Sequence, residues 1–536
     1  MRALALHVIA LAMFIGTNLA GHVRADEFKV FDGGSSTNSF EIVDGPTASG
    51  DPGTNTPPMD ALQQPLDSYL DPVVDQPQTT AELELEPKSD KTEPESYRQP
   101  ESVTDADSQP IWDTQESLGD IGYQYDDAAY GSCNDGDCGG ACGGSSRSCG
   151  GSACRGSCGG NRAGAFIDLW VAGGFTYNDA DPAGGFNTPL TFNDFANEGQ
   201  FNQAYLTFGR AVNKCGGCWD LGGRVDLLYG TDYFFTTADG LETRGNGAPH
   251  WNSSDGDRRR LGFTFADYGL AMPQLYGEIF APIGTGLGIK FGHFYTPLGY
   301  ESVRAPENFF YSHSYTFQYG KPITHTGVMT DWALGSNFNV QTGYTRGWNN
   351  WEDANGKPNY LFGFTWCPSK IAALAFSVTT GDEDPAGQNN RTVYTLVYTR
   401  RVGVMTYVLE HTFGTEENAE FNNQFQSETG KWYGLNQYFF MDVSPTLTTG
   451  MRIEWFRDQD NTRVLQIPFE SSVSGGNYVG LTMGMNWRPS CNLIIRPEVR
   501  YDYSDVEAFG FGNDGVYDDF TERDQLTLAV DAIFRF

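Results

Sequence analysis

Cysteine is the residue type with the clearest chemical potential in this chain of 536 residues, which contains ten cysteines. Six lie in residues 131–162 as two copies of Cys-x4-Cys-x3-Cys, namely Cys133, Cys138, Cys142, Cys149, Cys154 and Cys158. This spacing differs from the paired Cys-x2-Cys units that commonly bind zinc. We expect a small glycine-rich segment closed by disulfides; metal binding and a linker with intermolecular disulfides are the alternatives.

Four further cysteines lie in short turns. Cys215-Gly-Gly-Cys218 has the spacing of a redox motif but lacks the strand–helix–strand context of such enzymes, so a hairpin closed by a disulfide is the preferred interpretation. Cys367 and Cys491 lie in the similar stretches Trp-Cys-Pro-Ser and Trp-Arg-Pro-Ser-Cys. The sequence leaves the bonding state of these last two open.

The seven histidines are too few and too scattered to indicate a metal or hydrolase site. His293, His313 and His325 fall in one region, where structural histidines held by hydrogen bonds are the preferred interpretation over metal ligands. Glu410 beside His411 is the one pair that suggests an enzyme, which would also need a nucleophile next to such a base. We therefore expect no enzyme, no cofactor and no metal site.

The N-terminus predicts export. Arg2 precedes an apolar stretch, residues 3–15, that is too short to span a bilayer, and Val23-Arg24-Ala25 fits a cleavage site. Residues 1–25 are thus a predicted signal peptide, with cleavage at Ala20 or a retained helical anchor as alternatives. Export places the cysteines in an oxidising compartment.

The formal net charge of −34 is concentrated near the N-terminus. Roughly 20 net negative charges lie in residues 26–130, where Pro, Asp and Glu are abundant and apolar residues are too sparse to offset chain entropy. We predict a disordered acidic leader in the periplasm that acts as a spacer or, as the alternative, binds a periplasmic partner. Nucleic acid is excluded as a partner, because phosphate binding requires a basic surface.

Residues 163–536 consist of strand-length segments with alternating apolar and polar positions. In Gln525–Phe536 every even position is apolar, and polar residues occupy most of the odd ones. The segments 493–503 and 479–487 repeat this pattern. A period of two places the two sets on opposite faces of a sheet, and about 16 such strands can be counted.

The links between these strands alternate between short and long. The short ones are residues 214–218, 282–286, 334–336, 367–369, 401–403, 443–446 and 488–490. Outer-membrane barrels have short periplasmic turns and long external loops, whereas soluble sandwiches show no such asymmetry. The sequence therefore predicts an all-β, transmembrane, up-and-down antiparallel β-barrel in the bacterial outer membrane.

Aromatic residues agree with two membrane interfaces. One group lies near the short turns and another toward the opposite strand ends, namely Trp332, Trp366 and Trp487, and Trp455, Tyr501 and Tyr503. Amphipathic rings at both ends of an apolar band are typical of the interfacial girdles of barrels. Ordinary core aromatics of a soluble β protein are the alternative.

The predicted lumen is wide enough to hold water, because barrels of about 16 strands enclose an aqueous channel. The candidate pore-lining residues are charged residues of the strands, namely Lys290, Arg400, Arg452, Glu454, Arg496, Glu498, Arg500 and Asp502. Since both signs of charge occur, the sequence predicts no preference for anions or cations.

A long, aromatic and nearly uncharged segment, residues 297–326, is unusual for an external loop. We predict that it folds inward and narrows the channel, with an external loop packed on its neighbours as the alternative. The candidate constriction residues are Glu301, Arg304, Glu307, Phe309, Phe310 and His313.

Three stretches in this region resemble the signature block of the OmpL-like β-barrel porin family. They are Gly292-His-Phe-Tyr-Thr-Pro-Leu-Gly-Tyr-Glu301, Ala305-Pro-Glu-Asn-Phe-Phe-Tyr-Ser-His-Ser314 and Thr324-His-Thr-Gly327. The early segments 184–187, 192–194 and 203–205 are similar to that family too, so the resemblance covers about residues 165–536. It implies an outer-membrane porin and brings no catalytic residues and no defined substrate.

The sequence as a whole predicts a porin for passive diffusion of small polar solutes. A structural or adhesive barrel is the alternative, and an energy-coupled importer would need about 22 strands and a folded plug. The expected partners are outer-membrane lipid and small polar solutes. By resemblance to bacterial barrels, Phe536 at the C-terminus would meet the barrel-assembly machinery, and a homo-oligomer is expected by analogy with trimeric barrels of this size.

Deletion of residues 26–160 should leave assembly of the barrel intact, because the alternating strands all follow this segment. The truncated protein is expected to remain heat-modifiable on a denaturing gel, like the full-length chain. Loss of heat modifiability on truncation would show instead that the leader or the cysteine-rich segment is part of the fold.

Overall fold

The computed structural model describes residues 164–214, 218–244, 247–253, 259–260, 263–264, 266–353, 355–419, 429–465, 475–507 and 515–536. The predicted signal peptide (1–25), acidic leader (26–130) and cysteine-rich segment (131–162) lie outside these residues. Among the described residues, no helix is long and apolar enough to cross a membrane.

The described chain is built almost entirely of strands. In chain order they are β1 (Gly164–Asn178), β2 (Glu198–Ala211), β3 (Asp220–Gly230), β4 (Arg259–Arg260), β5 (Phe263–Thr264), β6 (Gly269–Ala281), β7 (Leu287–Tyr295), β8 (Thr324–Ala333), β9 (Phe338–Thr345), β10 (Asn359–Ser369), β11 (Ala372–Asp382), β12 (Asn390–Val402), β13 (Met405–Glu416), β14 (Gly430–Ser444), β15 (Leu447–Asp458), β16 (Gly476–Ser490), β17 (Leu493–Ser504) and β18 (Asp524–Arg535). Within the described ranges, helical structure is limited to two 3-10 turns, Thr231–Thr236 and Ala305–Glu307, and one short helix, α1 (Tyr315–Tyr319).

Sixteen of these strands form one closed antiparallel barrel, and β4 and β5 form a separate two-stranded hairpin. Each barrel strand pairs with its neighbours along the chain, with β3 next to β6 across the β4–β5 hairpin. The barrel closes where β1 pairs with β18, for example at Gly173 and Ala532. The predicted all-β barrel of about 16 strands is confirmed.

The last strand shows why this sequence forms a barrel wall. Leu526, Leu528 and Val530 point outward and are 40–49% exposed, whereas Gln525 and Thr527 point inward and are at most 3% exposed. Alternation along a strand sends successive side chains to opposite faces, so one face is apolar and the other polar. An apolar outer face and a polar inner face are the pattern of a barrel that crosses lipid.

The two rims of the barrel differ as predicted. Short links of two to eight residues join the strands at one rim, which we call the short-turn rim; they are residues 212–219, 282–286, 334–337, 370–371, 403–404, 445–446 and 491–492. Several hairpins are tighter than expected, since β10 continues to Ser369 and β16 to Ser490. Main-chain pairing therefore extends through stretches that the prolines had suggested were turns.

Aromatic side chains mark both ends of the outer face. Trp332, Trp366 and Trp487 are 42–47% exposed near the short-turn rim, and Trp455 and Tyr503 are similarly exposed toward the other rim. These positions confirm the two predicted girdles of amphipathic rings.

Two loops from the opposite rim fold into the barrel. Residues 296–323, between β7 and β8, are here called the inner loop; residues 179–197, between β1 and β2, contribute a second inward segment. Buried aromatic residues of these loops form a cluster with one another and with wall residues such as Trp170 and Tyr205. Phe192 and Phe317, one from each loop, have ring centres 5.6 Å apart. The core of this protein is therefore inside the barrel.

Candidate functional site

The inner loop starts against the wall formed by β11 to β13. The Ser377 hydroxyl donates a hydrogen bond to the Pro297 carbonyl at 3.1 Å, and the Gly299 N–H donates to Thr395 Oγ1 at 3.0 Å. Both wall residues are short, polar and inward-facing. They satisfy backbone groups of the loop that would otherwise be buried without partners.

The middle of the loop reaches the far side of the barrel, at β1 and β2. The Gln203 side chain donates to the Val303 carbonyl at 2.7 Å and accepts from the Ala305 N–H at 3.2 Å. The guanidinium of Arg304 lies 4.8 Å from the centre of the Trp170 ring. The loop thus crosses the lumen and contacts opposite parts of the wall.

Arg452 of β15 makes the densest set of contacts with the loop. Its guanidinium donates to Glu301 Oε1 at 2.8 Å, to the Ser312 carbonyl at 2.8 Å and hydroxyl at 3.0 Å, and to Thr482 Oγ1 at 3.1 Å. His313 Nδ1 lies 3.1 Å from Glu301 Oε2. Burial opposes ionisation of Glu301, but Arg452 and His313 outweigh it and hold the pKa of this loop carboxyl below its usual range.

Arg496 of β17 holds the next part of the loop. It binds Asp531 of β18 through two hydrogen bonds of 2.8 and 2.5 Å. Its remaining N–H groups donate to the carbonyls of Ala305 and Asn308 at 2.9 and 2.8 Å. The planar guanidinium therefore joins the wall to the loop through a rigid set of donors.

Arg500, four residues further along β17, repeats this arrangement. It binds Asp502 at 2.8–2.9 Å and donates to the His313 carbonyl at 2.5 Å. Glu454 lies 3.6 Å from the same guanidinium. Each buried arginine of this group is thus paired with a carboxylate and bound to loop carbonyls.

Inward-facing carboxylates bind the N–H groups of the loop. Glu498 accepts from the Tyr311 and Ser312 N–H groups at 2.8 and 3.1 Å, and Glu454 accepts from the Thr316 N–H at 3.1 Å. Each of these acceptors satisfies a backbone N–H group that is buried in the lumen. Arginines and carboxyl groups of the wall thus provide hydrogen-bond partners for both the carbonyls and the N–H groups of the loop.

Aromatic side chains also pack between the inner loop and the barrel wall. Phe309 lies against Phe440 with ring centres 4.7 Å apart, and Phe309 and Phe310 contact each other edge to face. On the wall beneath, Gly450 leaves the space that the Phe309 ring fills, because a Cβ atom there would collide with the ring. A small inward residue thus lets the loop approach the wall closely.

A small cavity of about 40 Å³ remains between the inner loop and strands β3, β6 and β7. Its lining includes five charged residues, Arg224, Glu301, Arg304, Glu307 and Lys321. Four of these five residues form ion pairs: Arg224 with Asp226, Glu301 with Arg452, and Arg304 with Glu307.

Lys321 is the exception among these five. It makes no ion pair within 4.0 Å to any residue that the structure describes, and its ammonium lies 4.4 Å from the centre of the Phe317 ring. Burial lowers the pKa of this loop lysine to about 8, and the charges of Glu410 and Glu301 offset only part of that effect.

Residues 166–536 match the profile of the family described as putative beta-barrel porin-2, OmpL-like. The chain belongs to this family. It is a porin barrel of the bacterial outer membrane. The family resemblance that the sequence shows in residues 165–536 is thereby confirmed.

Solved structures with a similar fold come from several bacteria. An anion-selective porin from Comamonas acidovorans has 10% identity and a TM-score of 0.43 over 70% of this chain and 100% of that one. OprB of Pseudomonas putida has 13% identity and a TM-score of 0.42 over 70% and 94%. OmpF of Salmonella typhi has 10% identity and a TM-score of 0.43 over 70% and 98%. No curated protein matches the chain.

Most of the candidate pore-lining residues lie on the inner face of the barrel, but they contact other protein groups instead of lining an open channel. Lys290 lies 4.3 Å from the Tyr276 ring and opposite Glu278 on the neighbouring strand. Six other candidate pore-lining residues form contacts with the inner loop or with one another. They are Arg452, Glu454, Arg496, Glu498, Arg500 and Asp502. They are buried, so their expected direct contact with solute is corrected to a structural contact with the loop.

The prediction for Arg400 was wrong. On β12 the inward positions are odd-numbered, as the buried Val393, Thr395 and Val397 show, so Arg400 lies on the outer face and is exposed. It is two residues from the end of its strand, where a long side chain reaches the aqueous interface. The neighbouring Arg401 binds Asp442 at 3.0 Å.

All six candidate constriction residues lie in the inner loop inside the barrel. Glu301, Arg304, Phe309, Phe310 and His313 are buried, and Glu307 is half-buried. The sequence left two alternatives, a loop that folds inward and an external loop packed on its neighbours. In the structure this loop folds inward.

The predicted disulfide between Cys215 and Cys218 is not formed, since Cys218 is a free, exposed thiol. Cys215 itself lies outside the described residues, as do all six clustered cysteines, Cys133, Cys138, Cys142, Cys149, Cys154 and Cys158. Metal binding by those six therefore stays a hypothesis.

The histidines have structural partners. His293 Nδ1 lies 2.8 Å from Thr326 Oγ1, and His325 Nε2 lies 3.0 Å from Thr296 Oγ1. Among the described ranges, no group of three His, Cys, Asp or Glu residues is placed to hold a metal ion. Glu410 is buried on the inner face while His411, the next residue of the strand, points to the outer face, so the two cannot act together.

Several residues that hold the loop were not identified from the sequence. Asp531 and Gln203 occupy inward positions on their strands, and strand alternation could have identified both. Lys321 carries no such signal, because its position depends on how the inner loop folds. The inward path of residues 179–197 was also missed, although that segment is rich in Asn, Thr and Phe and contains few charges.

Replacement of Arg452 by Met should loosen the inner loop. The change removes the arginine partner of the buried Glu301 and two hydrogen bonds to Ser312, which weakens loop docking by about 3–5 kcal/mol. We expect a larger single-channel conductance in a planar bilayer, with unchanged heat modifiability because the outer wall is intact.

Arg210→Met is the matched control, because Arg210 pairs with Asp220 at an exposed site and such pairs contribute little. This variant should conduct like the unmodified protein. Equal conductance of both variants would contradict the assigned role of Arg452.

Proposed function

We propose that this porin lets small polar solutes diffuse passively across the outer membrane along the polar space between the inner loop and the wall. The supporting observation is the charged cavity beside β3, β6 and β7, because charged and polar linings hold water where apolar ones stay dry. Transport by diffusion needs no reaction, so we propose no enzymatic activity.

The inner loop sets the width of this path. A cavity of about 40 Å³ has room for roughly three water molecules, whereas an open barrel of 16 strands would form a wide aqueous channel. We therefore propose that conductance is low for a barrel of this size and that solutes larger than a hydrated ion pass only when the loop shifts.

The charge at the narrow point favours anions. Arg224, Arg304, Glu301 and Glu307 are neutralised by partners, which leaves the ammonium of Lys321 as the uncompensated charge beside the cavity. Rings or single charges at a constriction determine ion preference. We propose a modest preference for anions at neutral pH.

The orientation and partners belong to the same proposal. The short-turn rim would face the periplasm together with the N-terminal leader, and the exposed C-terminal Phe536 would be recognised by the barrel-assembly machinery. Outer-membrane lipid surrounds the apolar band between the two girdles. Assembly into a homo-oligomer is proposed by analogy with barrels of this size.

One observation favours a structural or adhesive barrel as the second candidate. The inner loop and residues 179–197 fill much of the lumen with packed aromatic residues, including Phe192, Phe310 and Phe317. If these loops never shift, the barrel would be a rigid outer-membrane platform rather than a channel.

Planar-bilayer recording with the purified full-length protein separates the two candidates. For the porin we expect stepwise, weakly rectifying currents of small amplitude, because the cavity beside the loop has room for only a few water molecules. A sealed membrane would contradict the diffusion function and support the structural barrel. The Arg452→Met variant tests whether a sealed membrane results from the loop.

Ion preference should depend on pH through Lys321. The lysine is protonated below its pKa of about 8 and neutral above it, so anion preference should fall as the pH rises from about 6 to about 9.5. Reversal potentials in a potassium chloride gradient at both pH values measure this change.

The variant Lys321→Met should show at both pH values the weak preference that the unmodified protein shows at high pH. Lys431→Met, which changes a lysine of the outer rim outside the cavity, is the control and should behave like the unmodified chain. A pH response that survives in Lys321→Met would assign the preference to another group.

A further inference from the structure

The β3–β6 and β9–β10 links, which flank the inner loop along the chain, contact each other at the rim opposite the short-turn rim. The Asp239 N–H donates to the Asn349 carbonyl at 2.7 Å, and the Asp239 carbonyl accepts from the Trp351 N–H at 2.7 Å. We call residues 239–240 and 349–352 the clasp. Because the β7–β8 link folds into the barrel, the clasp joins the two links on either side of the position that the inner loop leaves.

Two backbone conformations let these links approach each other closely. Gly240 has a φ of 86°, and a Cβ atom there would collide with the side chain of Glu352. Asn349 has a φ of 52°, in the left-handed region that asparagine adopts more readily than most residues. The clasp is therefore built on residue types that suit its geometry.

Asn349 also connects the clasp to the end of the inner loop. Its side-chain oxygen accepts hydrogen bonds from the Ile323 N–H at 2.9 Å and the Thr324 N–H at 3.0 Å, and its own N–H donates to the Thr324 carbonyl at 3.1 Å. Ile323 lines the cavity, as does Lys321. Residues 321–323, here called the loop exit, thus lie between the clasp and the cavity.

The loop exit is held by weaker bonds than the middle of the loop. Arg452, Arg496 and Arg500 donate to carbonyls of the middle part, and hydrogen bonds from ionised donors are roughly twice as strong as neutral ones. At the exit, the bonds from Ile323 to Asn349 and from the Thr296 N–H to the Ile323 carbonyl join neutral groups. The exit is therefore the part of the loop that shifts at the lowest free energy.

The clasp lies at the surface of the protein. Asp239 and Glu352 are exposed, and Asn349, Asn350 and Trp351 are half-buried. Water can replace main-chain hydrogen bonds at such a site, and exposed loops of this kind open locally at a low free energy. The clasp can thus open while the paired strands of the wall stay intact.

We propose that the clasp is the gate of the channel and that Asn349 is the positioning residue that joins it to the inner loop. With the clasp closed, Asn349 holds the loop exit against the cavity of about 40 Å³. With the clasp open, the exit moves away together with Lys321 and the cavity widens. This inference rests on the proposed diffusion function and identifies the part of the loop that moves for solutes larger than a hydrated ion.

Asn349→Gly in the full-length protein tests the gate, because glycine keeps the positive φ and removes only the side-chain acceptor. Hydrogen–deuterium exchange in detergent micelles should be roughly tenfold faster at the amides of Ile323 and Thr324. In a planar bilayer, openings to a larger conductance level should become several-fold more frequent. The lowest level should stay unchanged, since Arg452 and Arg496 still hold the middle of the loop.

Two further variants separate the gate from a general loss of structure. Asn349→Asp keeps an oxygen acceptor and tolerates the same backbone conformation, so it should restore slow exchange and infrequent openings. Asn355→Gly is the matched control in the same link, because the Asn355 side chain donates to the carbonyls of Asp382 and Asp384. This control should behave like the unmodified chain.

A disulfide across the clasp should lock the gate. Asp239 and Asn350 are bridge partners of neighbouring chain segments, which lie about 4.8 Å apart, within the 4.4–6.8 Å that a disulfide needs between Cα atoms. In a Cys218→Ser background, the oxidised Asp239→Cys, Asn350→Cys protein should lose the larger conductance level and regain it on reduction. The Cys218→Ser protein with the same reductant is the control.

The outcomes distinguish this proposal from the diffusion function itself. Faster exchange in Asn349→Gly without more frequent openings, openings that persist in the locked protein, or failure of Asn349→Asp to restore the unmodified behaviour would each overturn the gate. Unchanged exchange at Ile323 and Thr324 would overturn the assigned role of Asn349. Absence of current in every variant, including Arg452→Met, would instead contradict passive diffusion through this barrel.

Discussion

The structure depends on how the inner face of the barrel satisfies a polypeptide segment that lies within it. A loop that leaves water loses hydrogen bonds at every peptide group, and each unsatisfied group costs free energy comparable to a lost hydrogen bond. Arg452, Arg496 and Arg500 donate to loop carbonyls, while Glu454 and Glu498 accept from loop N–H groups. Each of the three arginines also pairs with a carboxylate, so none of the three is buried without a partner of opposite sign. The loop can therefore remain inside the lumen.

This arrangement explains why the inner face carries so many charges of both signs. In an open, water-filled barrel such residues would be hydrated and would act on passing solutes. Here the same residues on β15 to β18 support the loop, and the space left for water lies on the other side, beside β3, β6 and β7. The wall is thus divided into a supporting part and a part that borders the cavity. Lys321 lies at the boundary, since it belongs to the loop and faces the cavity.

The outer face follows a simpler rule. Apolar side chains between two aromatic girdles match the thickness and polarity of lipid, and this requirement alone fixes which face of each strand points outward. The hairpins of the short-turn rim are tight because the strands extend to Ser369 and Ser490.

The sequence by itself determined the strand number, the inward and outward faces, the two rims and the aromatic girdles, because each is a local consequence of alternation, turn residues and link length. It also indicated that residues 297–326 fold inward, since an aromatic, nearly uncharged segment is unsuited to water. Tertiary structure alone decided what the inward charges do: whether Arg496 meets solute or the Asn308 carbonyl depends on the path of a loop that is about 190 residues away. Arg400 was misplaced because neighbouring arginines on one strand point to opposite faces, and the burial of Val393, Thr395 and Val397 shows that the odd-numbered positions of β12 are inside.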